Sequence, residues 1–188
     1  ILEPLSLSEA KSQIRVEQNT EEENEYLLML ISAAREYCES VKGYAFVEQT
    51  LEYWLDGFYC SQIELPRATP LQEIESFVYI DSDGVEHTWD AVNYRADTAS
   101  TPGRLVPAYN AVYPSYTPQV GDSARIRYIA GLPLQSPAVT FPARLKMAMA
   151  LLIGHWYQNR ETTIVGFQHG EELALTVRDL LAVDQRVF

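Results

Sequence analysis

The chain has 188 residues, of which 47% are hydrophobic and 21% are charged, a composition that is typical of globular proteins and excludes a disordered chain. Its formal net charge of -12 argues against a protein that grips nucleic acid, because phosphate binding depends on Lys and Arg. The acid excess lies in the first two thirds of the chain. It either increases solubility or forms an acidic surface along which DNA passes without adhering.

Two helices are predicted before Gly43. Ser6 and Glu9 form a capping-box pattern that begins a short first helix. Thr20 and Glu23 repeat this pattern and predict a longer second helix, for which Gly43 is a natural end. The apolar residues of the second helix recur at helical spacing and predict a buried face made of Leu27, Leu30, Ile31, Ala34, Tyr37, Cys38 and Val41.

After the second helix the apolar period changes to two, which is typical of β-strands. Alternation predicts one strand at 51–55 and another in which Ile74, Val78 and Ile80 share a face opposite Phe77. Further short strands are predicted at 92–95, 104–106 and 124–129.

The tetrapeptide Asp81–Gly84 predicts a hairpin turn that leads into a strand at 85–89. It also resembles the opening of a calcium-binding loop. The bidentate Glu and the remaining ligand spacing of such a loop are missing, so a plain turn is favoured.

A proline-rich loop at Pro107–Pro118 carries three tyrosines, Tyr109, Tyr113 and Tyr116. Tyrosine-rich loops suit contact surfaces, because a rigid amphipathic ring adds area at little entropic cost. A sugar-binding site would use the same residues. The alternative is that the rings pack the loop onto its own β module, as long loops often do.

The segment Phe141–Glu161 predicts a strongly apolar third helix, with Pro142 suited to its first turn. Met147–Gly154 is a run of eight small or apolar residues, and the polar face, which holds His155 and Gln158, is narrow. Such a helix is either the centre of a small bundle or is covered partly by neighbouring subunits.

A last helix is predicted at about 171–181, so the order is helix, helix, β module, helix, helix. This order predicts an α+β fold with a helical bundle and a β-strand module inserted between the second and third helices. The predicted helical domain combines 1–43 with 132–188, in which 182–188 is a tail. The inserted module covers 44–131.

The sequence lacks the residue patterns of a known catalytic or metal site. His87, His155 and His169 stand in no metal or nucleophile motif, and there is no Gly-rich phosphate loop. Cys38 and Cys60 form neither a metal motif nor a disulfide framework, and Cys38 is predicted to be a buried, inert thiol. We therefore expect no enzyme activity, no cofactor and no bound metal.

Five stretches, spread along nearly the whole chain, are specific in combination although each alone is weak. They are EPLSLSEAK at 3–11, LISAAREYCESVKGYAFVEQT at 30–50, IELPRATPLQEIESFVYIDSDG at 63–84, ARIRYIAG at 124–131 and LKMAMALLIGHWYQNRE at 145–161. Together they resemble the head-tail connector family of tailed bacteriophages and gene transfer agents, the adaptor or head-completion proteins beneath the portal, in the subtype with a β insertion.

The resemblance implies a virion protein of the neck, made in the cytoplasm of the host bacterium, with no catalytic site and no membrane association. It implies a homo-oligomeric ring of about twelve subunits that docks beneath the portal protein. The ring would form part of the channel through which double-stranded DNA passes without specific binding. It would also give a platform to a stopper or tail-completion protein.

Three sets of candidate contact residues follow from this interpretation. The subunit-interface candidates are Met147, Leu151, Trp156, Tyr157 and Arg160. The portal-contact candidates, at the end of the tail, are Arg186, Val187 and Phe188. The exposed-loop candidates are Tyr109, Tyr113 and Tyr116. The alternative function is a binding module that uses the β insertion and this loop for a receptor or a carbohydrate.

Overall fold

The computed structural model describes residues 2–57, 61–115, 117–137, 139–160 and 176–182. The chain divides into two compact units. The helical unit combines Ile1–Gly43 with Leu134–Phe188, and the β unit is Tyr44–Pro133. The predicted α+β fold is confirmed, and the strand module lies between the second and third helices.

Four helical segments lie in the described part of the helical unit. They are α1 (Leu7–Ile14), α2 (Asn24–Lys42), α3 (Ala143–Gln158) and a stretch at 176–182 that we label α4. The α4 stretch agrees with the predicted last helix where the two overlap, and it buries Val177 and Leu181. In the described part of the chain, no helix combines the length and hydropathy that crossing a bilayer requires.

The ends of α1 and α2 follow local sequence signals at two positions. The Ser6 hydroxyl accepts from the Glu9 backbone N–H, and the Glu9 carboxylate accepts from the Ser6 N–H at 2.9 Å, so the first capping box is confirmed. Gly43 ends α2 with a left-handed φ of 70°, as predicted.

The second predicted capping box is wrong. Helix α2 begins at Asn24, and Glu23 occupies the N-cap without a side-chain cap bond. The cause lies in α1, where the Lys11 ammonium is buried and donates to the backbone oxygens of Gln18 and Thr20 at 3.0 and 2.5 Å. These bonds hold the connection between α1 and α2 in a turn and delay the start of α2.

The buried face of α2 is only partly the predicted one. Five of the seven predicted residues are buried: Leu27, Leu30, Ile31, Ala34 and Cys38. Tyr37 and Val41 are 43% and 47% exposed, so their prediction as core residues is wrong. Arg35 and Glu39 are buried instead, because they pair with each other at 3.1 Å and Arg35 also binds Glu3 at 2.9 Å.

The β unit contains two antiparallel sheets. Their strands are β1 (Gln49–Leu55), β2 (Ile63–Glu64), β3 (Leu71–Ile80), β4 (Glu86–Thr88), β5 (Tyr94–Asp97), β6 (Arg104–Pro107) and β7 (Ala124–Ala130). One sheet has the order β1-β7-β3-β4, and the other has the order β2-β6-β5. The predicted hairpin at Asp81–Gly84 joins β3 to β4. A short 3-10 helix, Ala91–Asn93, precedes β5.

The prediction that Phe77 lies opposite the buried face of β3 is wrong. The register of β3 against β7 shifts between Ile74 and Ser76, which is a β-bulge. An extra residue in one strand reverses the face of every side chain after it. Phe77 therefore points inward and is fully buried, where its ring meets Trp89 at 5.3 Å and Tyr94 at 6.4 Å, both edge to face.

Tyr128 anchors the other side of this core. Its hydroxyl donates to the Pro66 backbone oxygen at 2.5 Å, and its ring is fully buried. Burial raises the pKa of Tyr128 to about 12.

Candidate assembly surfaces

Most of the apolar arc of α3 is buried by the helical unit itself. The buried residues of this helix are Leu145, Ala148, Met149, Ala150, Leu152 and Ile153. Met147 is 52% exposed, and Leu151, one turn further on, is half-buried. The bundle within the unit thus accounts for most of this helix, and an exposed apolar strip remains at these two candidate interface residues.

Trp156 and Tyr37 form an aromatic pair at the outer side of α2 and α3. Their ring centroids lie 6.1 Å apart with an edge-to-face angle of 89°. Tyr37 is still 43% exposed, so the pair presents aromatic surface to solvent.

Tyr157 and Arg160, two further interface candidates, are both bound to Glu23. The Tyr157 hydroxyl donates to one carboxylate oxygen of Glu23, and Arg160 donates to the other at 2.6 Å. The Arg160 guanidinium also lies 4.7 Å from the ring centroid of Tyr26 and 4.6 Å from that of Tyr157. We call these four residues the Glu23 clasp.

The clasp changes the titration of its members. The Tyr157 hydrogen bond, followed by the Arg160 hydrogen bond, lowers the pKa of Glu23, and the same carboxylate raises the pKa of Tyr157. Sequence reasoning assigned Glu23 to a helix cap and missed this cluster, because its members are 134 and 137 positions apart in the chain.

Helix α2 exposes more apolar surface than its sequence pattern predicted. Leu28 and Met29 are 50% and 58% exposed, and Tyr37 and Val41 lie further along the helix. Met29, Tyr37 and Val41 recur at multiples of four residues and form a stripe that turns slowly around the helix. The stripe adds a second candidate contact surface to that of α3.

The tyrosine-rich loop packs one ring on its own β unit and exposes another to solvent. Tyr113 is half-buried, with its ring 5.0 Å from that of Trp89, so it packs the loop onto the β unit. Tyr109 is 95% exposed and faces solvent. Tyr116 and the three portal-contact candidates, Arg186, Val187 and Phe188, lie outside the described residues.

Asp81 and His87, in the hairpin that resembles the opening of a calcium loop, are engaged in structure. The two carboxylate oxygens of Asp81 serve the hairpin: one accepts from the N–H groups of Asp83 and Val85, and the other lies 2.7 Å from His87 Nε2. Across the described ranges, no three His, Cys, Asp or Glu side chains group closely enough to hold a metal ion.

Cys38 is a buried free thiol, as predicted. Burial, with a smaller contribution from Glu39, raises its pKa to about 12. A thiol that stays protonated at neutral pH is a poor nucleophile, so it has a packing role.

Nearly the whole chain is similar in fold to chains in solved structures of gene transfer agent (GTA) particles. One is a chain from the virion of a native GTA particle, with 21% identity and a TM-score of 0.71 over 98% of this chain and 93% of that chain. A chain from the neck of an empty GTA particle computed with C6 symmetry gives 20% identity, a TM-score of 0.72 and the same coverage.

A third similar chain comes from the neck of a native GTA particle computed with C12 symmetry, with 19% identity and a TM-score of 0.68 over 97% of this chain and 91% of that chain. No protein-family model matches the sequence, and no curated protein matches it. At these identities the likeness establishes the fold.

Proposed function

We propose that the chain is a structural virion protein, a head-to-tail connector in the neck of a phage-like or gene-transfer-agent particle. The observation that carries this proposal is the coverage of the fold: 98% of this chain matches 93% of a chain from a GTA particle. Both units are therefore shared, including the β unit that distinguishes the fold from a plain helical bundle.

In this proposal copies of the chain form a ring beneath the portal. Symmetry supports it, because the similar neck structures were computed with C6 and C12 symmetry, and a ring of twelve copies is compatible with both. The ring would line part of the DNA channel and offer a platform to a stopper or tail-completion protein. A net charge of -12 suits such a channel, because like charge keeps DNA from adhering.

The proposed domain roles follow the chain order. The helical domain, 1–43 with 132–188, would make the ring contacts, and the β module, 44–131, would project outward. The tail, 182–188, would reach the portal through Arg186, Val187 and Phe188. The role is one of assembly and needs no catalytic residue or cofactor.

Subunit contacts are proposed at the exposed part of α3. Met147 and Leu151 form an apolar strip that suits a homo-oligomer interface. Trp156, on roughly the opposite face of the helix from Met147, offers aromatic surface to a second contact. The polar groups of Tyr157 and Arg160 are bound to Glu23, so these two residues would contribute mainly through their exposed edges.

The test is assembly of this chain with the portal protein of the same particle. Native mass spectrometry and electron microscopy should show a ring of this chain docked on the portal. A chain that stays monomeric in the presence of the portal would overturn the proposal.

A matched pair of substitutions tests the interface. Met147→Glu places a charge on the exposed apolar strip and should weaken ring formation at least about tenfold, because a buried unpaired charge is costly. Gln62→Glu adds the same charge at an exposed position of the β unit and should leave ring formation unchanged. Circular dichroism should show that both variants fold. Equal assembly of the two variants would exclude this strip from the interface.

The second candidate function, a binding module, is favoured by the exposure of Tyr109. Titration of the full-length protein with cell-surface glycans of the host would reveal it. Saturable binding that Tyr109→Ala abolishes would favour this function over a purely structural one.

A further inference from the structure

Exposed apolar side chains of the β unit concentrate at one loop and the turns bonded to it. Six large hydrophobic residues are exposed in the described part of this unit: Trp54, Val85, Val92, Tyr109, Val112 and Val120. All except Trp54 lie on the loop 108–122 or on the segments 81–85 and 91–93. We call these five residues the loop surface. Single exposed apolar residues are ordinary, whereas a concentration of them marks a contact site.

The loop surface is held in place by the fold. At the start of the loop the Ala108 N–H donates to the Asn93 oxygen at 2.8 Å, and near its end the Ser82 N–H donates to the Thr117 oxygen at 2.9 Å. Between them the Tyr113 ring packs on Trp89. A contact loop that is fixed before binding loses less conformational entropy when its partner arrives.

The surroundings of the loop surface are acidic. Asp83 and Asp122 are exposed on the same segments, and Asp90 is exposed immediately before the segment 91–93. The β unit contains no lysine. Among the described residues, arginines of the unit pair with its own carboxylates: Arg104 with Asp97, Arg125 with Glu86, and Arg127 with Glu52 and Glu75.

This charge decides between the candidate partners. Nucleic acid is repelled by exposed carboxylates. The loop surface of a second copy carries the same exposed aspartates, and its β unit offers no lysine, so like charges would oppose a contact between two loop surfaces. A different protein with an apolar patch surrounded by Lys or Arg complements both the apolar residues and the charge.

We propose that the loop surface docks a different protein of the particle, one whose contact patch is apolar at its centre and basic around it. This inference rests on the proposed function, since it makes the loop surface the place where the neck ring meets that protein.

A zero-length carbodiimide cross-linker tests the inference in purified particles, because it joins carboxylates only to amines in contact. Mass spectrometry should find Asp83, Asp90 or Asp122 joined to lysines of another particle protein. Cross-links that reach only Lys11, Lys42 or Lys146 of a neighbouring copy would overturn the inference, as would the absence of cross-links from these aspartates.

The outcome separates this inference from the proposed function. If particles contain the chain as a ring but its loop aspartates do not cross-link to another protein, only the inference fails. If particles lack the chain, the proposed function fails and the inference fails with it. Saturable glycan binding at Tyr109 by the free chain would also overturn the inference and identify a receptor surface.

Substitutions add a control to the cross-linking. Tyr109→Ser combined with Val112→Ser changes two side chains that are 95% and 82% exposed, so folding should be preserved. In particles with this variant the cross-link yield from Asp90 should fall at least about tenfold, because the apolar centre of the contact is lost. Glu73→Gln, at an exposed position of β3, should leave the yield unchanged. Equal yields from both variants would overturn the inference.

Discussion

The helical unit and the β unit distribute charged and apolar groups in opposite ways. Among the described residues, every buried charged side chain lies in the helical unit, namely Lys11, Arg35 and Glu39, whereas the buried polar groups of the β unit are Thr69 and Ser123. The helical unit also exposes apolar residues along regular helix faces, whereas the β unit exposes them mainly around one loop. In the described part of the chain, buried charge is therefore found in the helical unit, to which we assign the ring contacts.

This difference indicates two ways of specifying a structure. A small helical bundle with apolar residues on several faces has alternative packings, and a buried ion pair that fits only one of them can select it, a role that we infer for Arg35 and Glu39. The β unit is specified by strand register and by close backbone approach instead, as at the bulge before Ser76.

The largest expected effect is that of Gly131→Ala in the β unit. Gly131 has φ +101°, and a Cβ there would lie 2.0 Å from the Val47 backbone oxygen. We expect a loss of more than about 4 kcal/mol in the free energy of unfolding, because the backbone itself must move. Gly121→Ala, with φ +75° and no atom within 4 Å of its Cβ, should cost only about 1–2 kcal/mol. Equal losses in urea unfolding would show that close backbone approach does not specify this unit.

The buried charge of the helical unit gives the next largest effect. Arg35→Met removes a buried cation that pairs with the buried carboxylate of Glu39 and should cost about 3–5 kcal/mol. Glu36→Gln is the control, since the Glu36 side chain is 68% exposed and the change should stay within about 0.5 kcal/mol. Hydrogen exchange, followed peptide by peptide, should place the loss in the helical unit. Loss of protection in the β unit alone would contradict the claim that this buried charge stabilises the helical unit.

Alkaline pH should destabilise the helical unit through Cys38. Its pKa rises from 9.0 to about 12 on folding, so the unfolded thiol releases its proton first. The stability that comes from keeping this thiol protonated is therefore full below pH 9 and is lost as pH rises toward 12, with a loss of about 1 kcal/mol by pH 10. In urea unfolding at pH 7 and pH 10, Cys38→Ala should remove this part of the pH dependence. If Cys38→Ala showed the same pH dependence of unfolding as the original chain, groups other than Cys38 would be its cause.

The smallest effect is expected at an exposed pair between α1 and α3. The hydrogen bond from Lys146 at 2.7 Å is the largest of the causes that lower the pKa of Glu9 from 4.5 to about 2. Because the folded pKa is depressed, the stability is present above pH 4.5 and is lost as pH falls toward 2. Solvent screening keeps it below about 1 kcal/mol. Lys146→Gln should lower stability at pH 7 and change it little at pH 2. A larger loss at pH 2 than at pH 7 would contradict this assignment.

Local signals were predictable from the sequence because their causes lie within a few residues. The capping box at Ser6 and the left-handed end at Gly43 depend only on their own turns. The start of α2 was not predictable, because the buried ammonium of Lys11 reaches over from another helix. The inward orientation of Phe77 was not predictable either, because it depends on a β-bulge that the alternation of apolar residues does not reveal.

Assembly surfaces were harder to predict than the fold. The apolar period of α2 placed Tyr37 and Val41 in the core, yet both are exposed, and Arg35 and Glu39 are buried instead. A hydrophobic pattern identifies residues that avoid water and does not say whether their own unit covers them. The Glu23 clasp was equally hidden, since its partners come from opposite ends of the chain.

The division of the chain also has a consequence for the order of events during synthesis. The β unit, Tyr44–Pro133, is continuous, whereas the helical unit needs α3, which leaves the ribosome only after the whole β unit has been made. Domains generally fold as units while the chain emerges, so the β unit folds before α3 is available to pack against α1 and α2. Until then the apolar faces of α1 and α2 that α3 will cover stay exposed, and the speed of translation through 44–158 sets how long the nascent chain is vulnerable to aggregation.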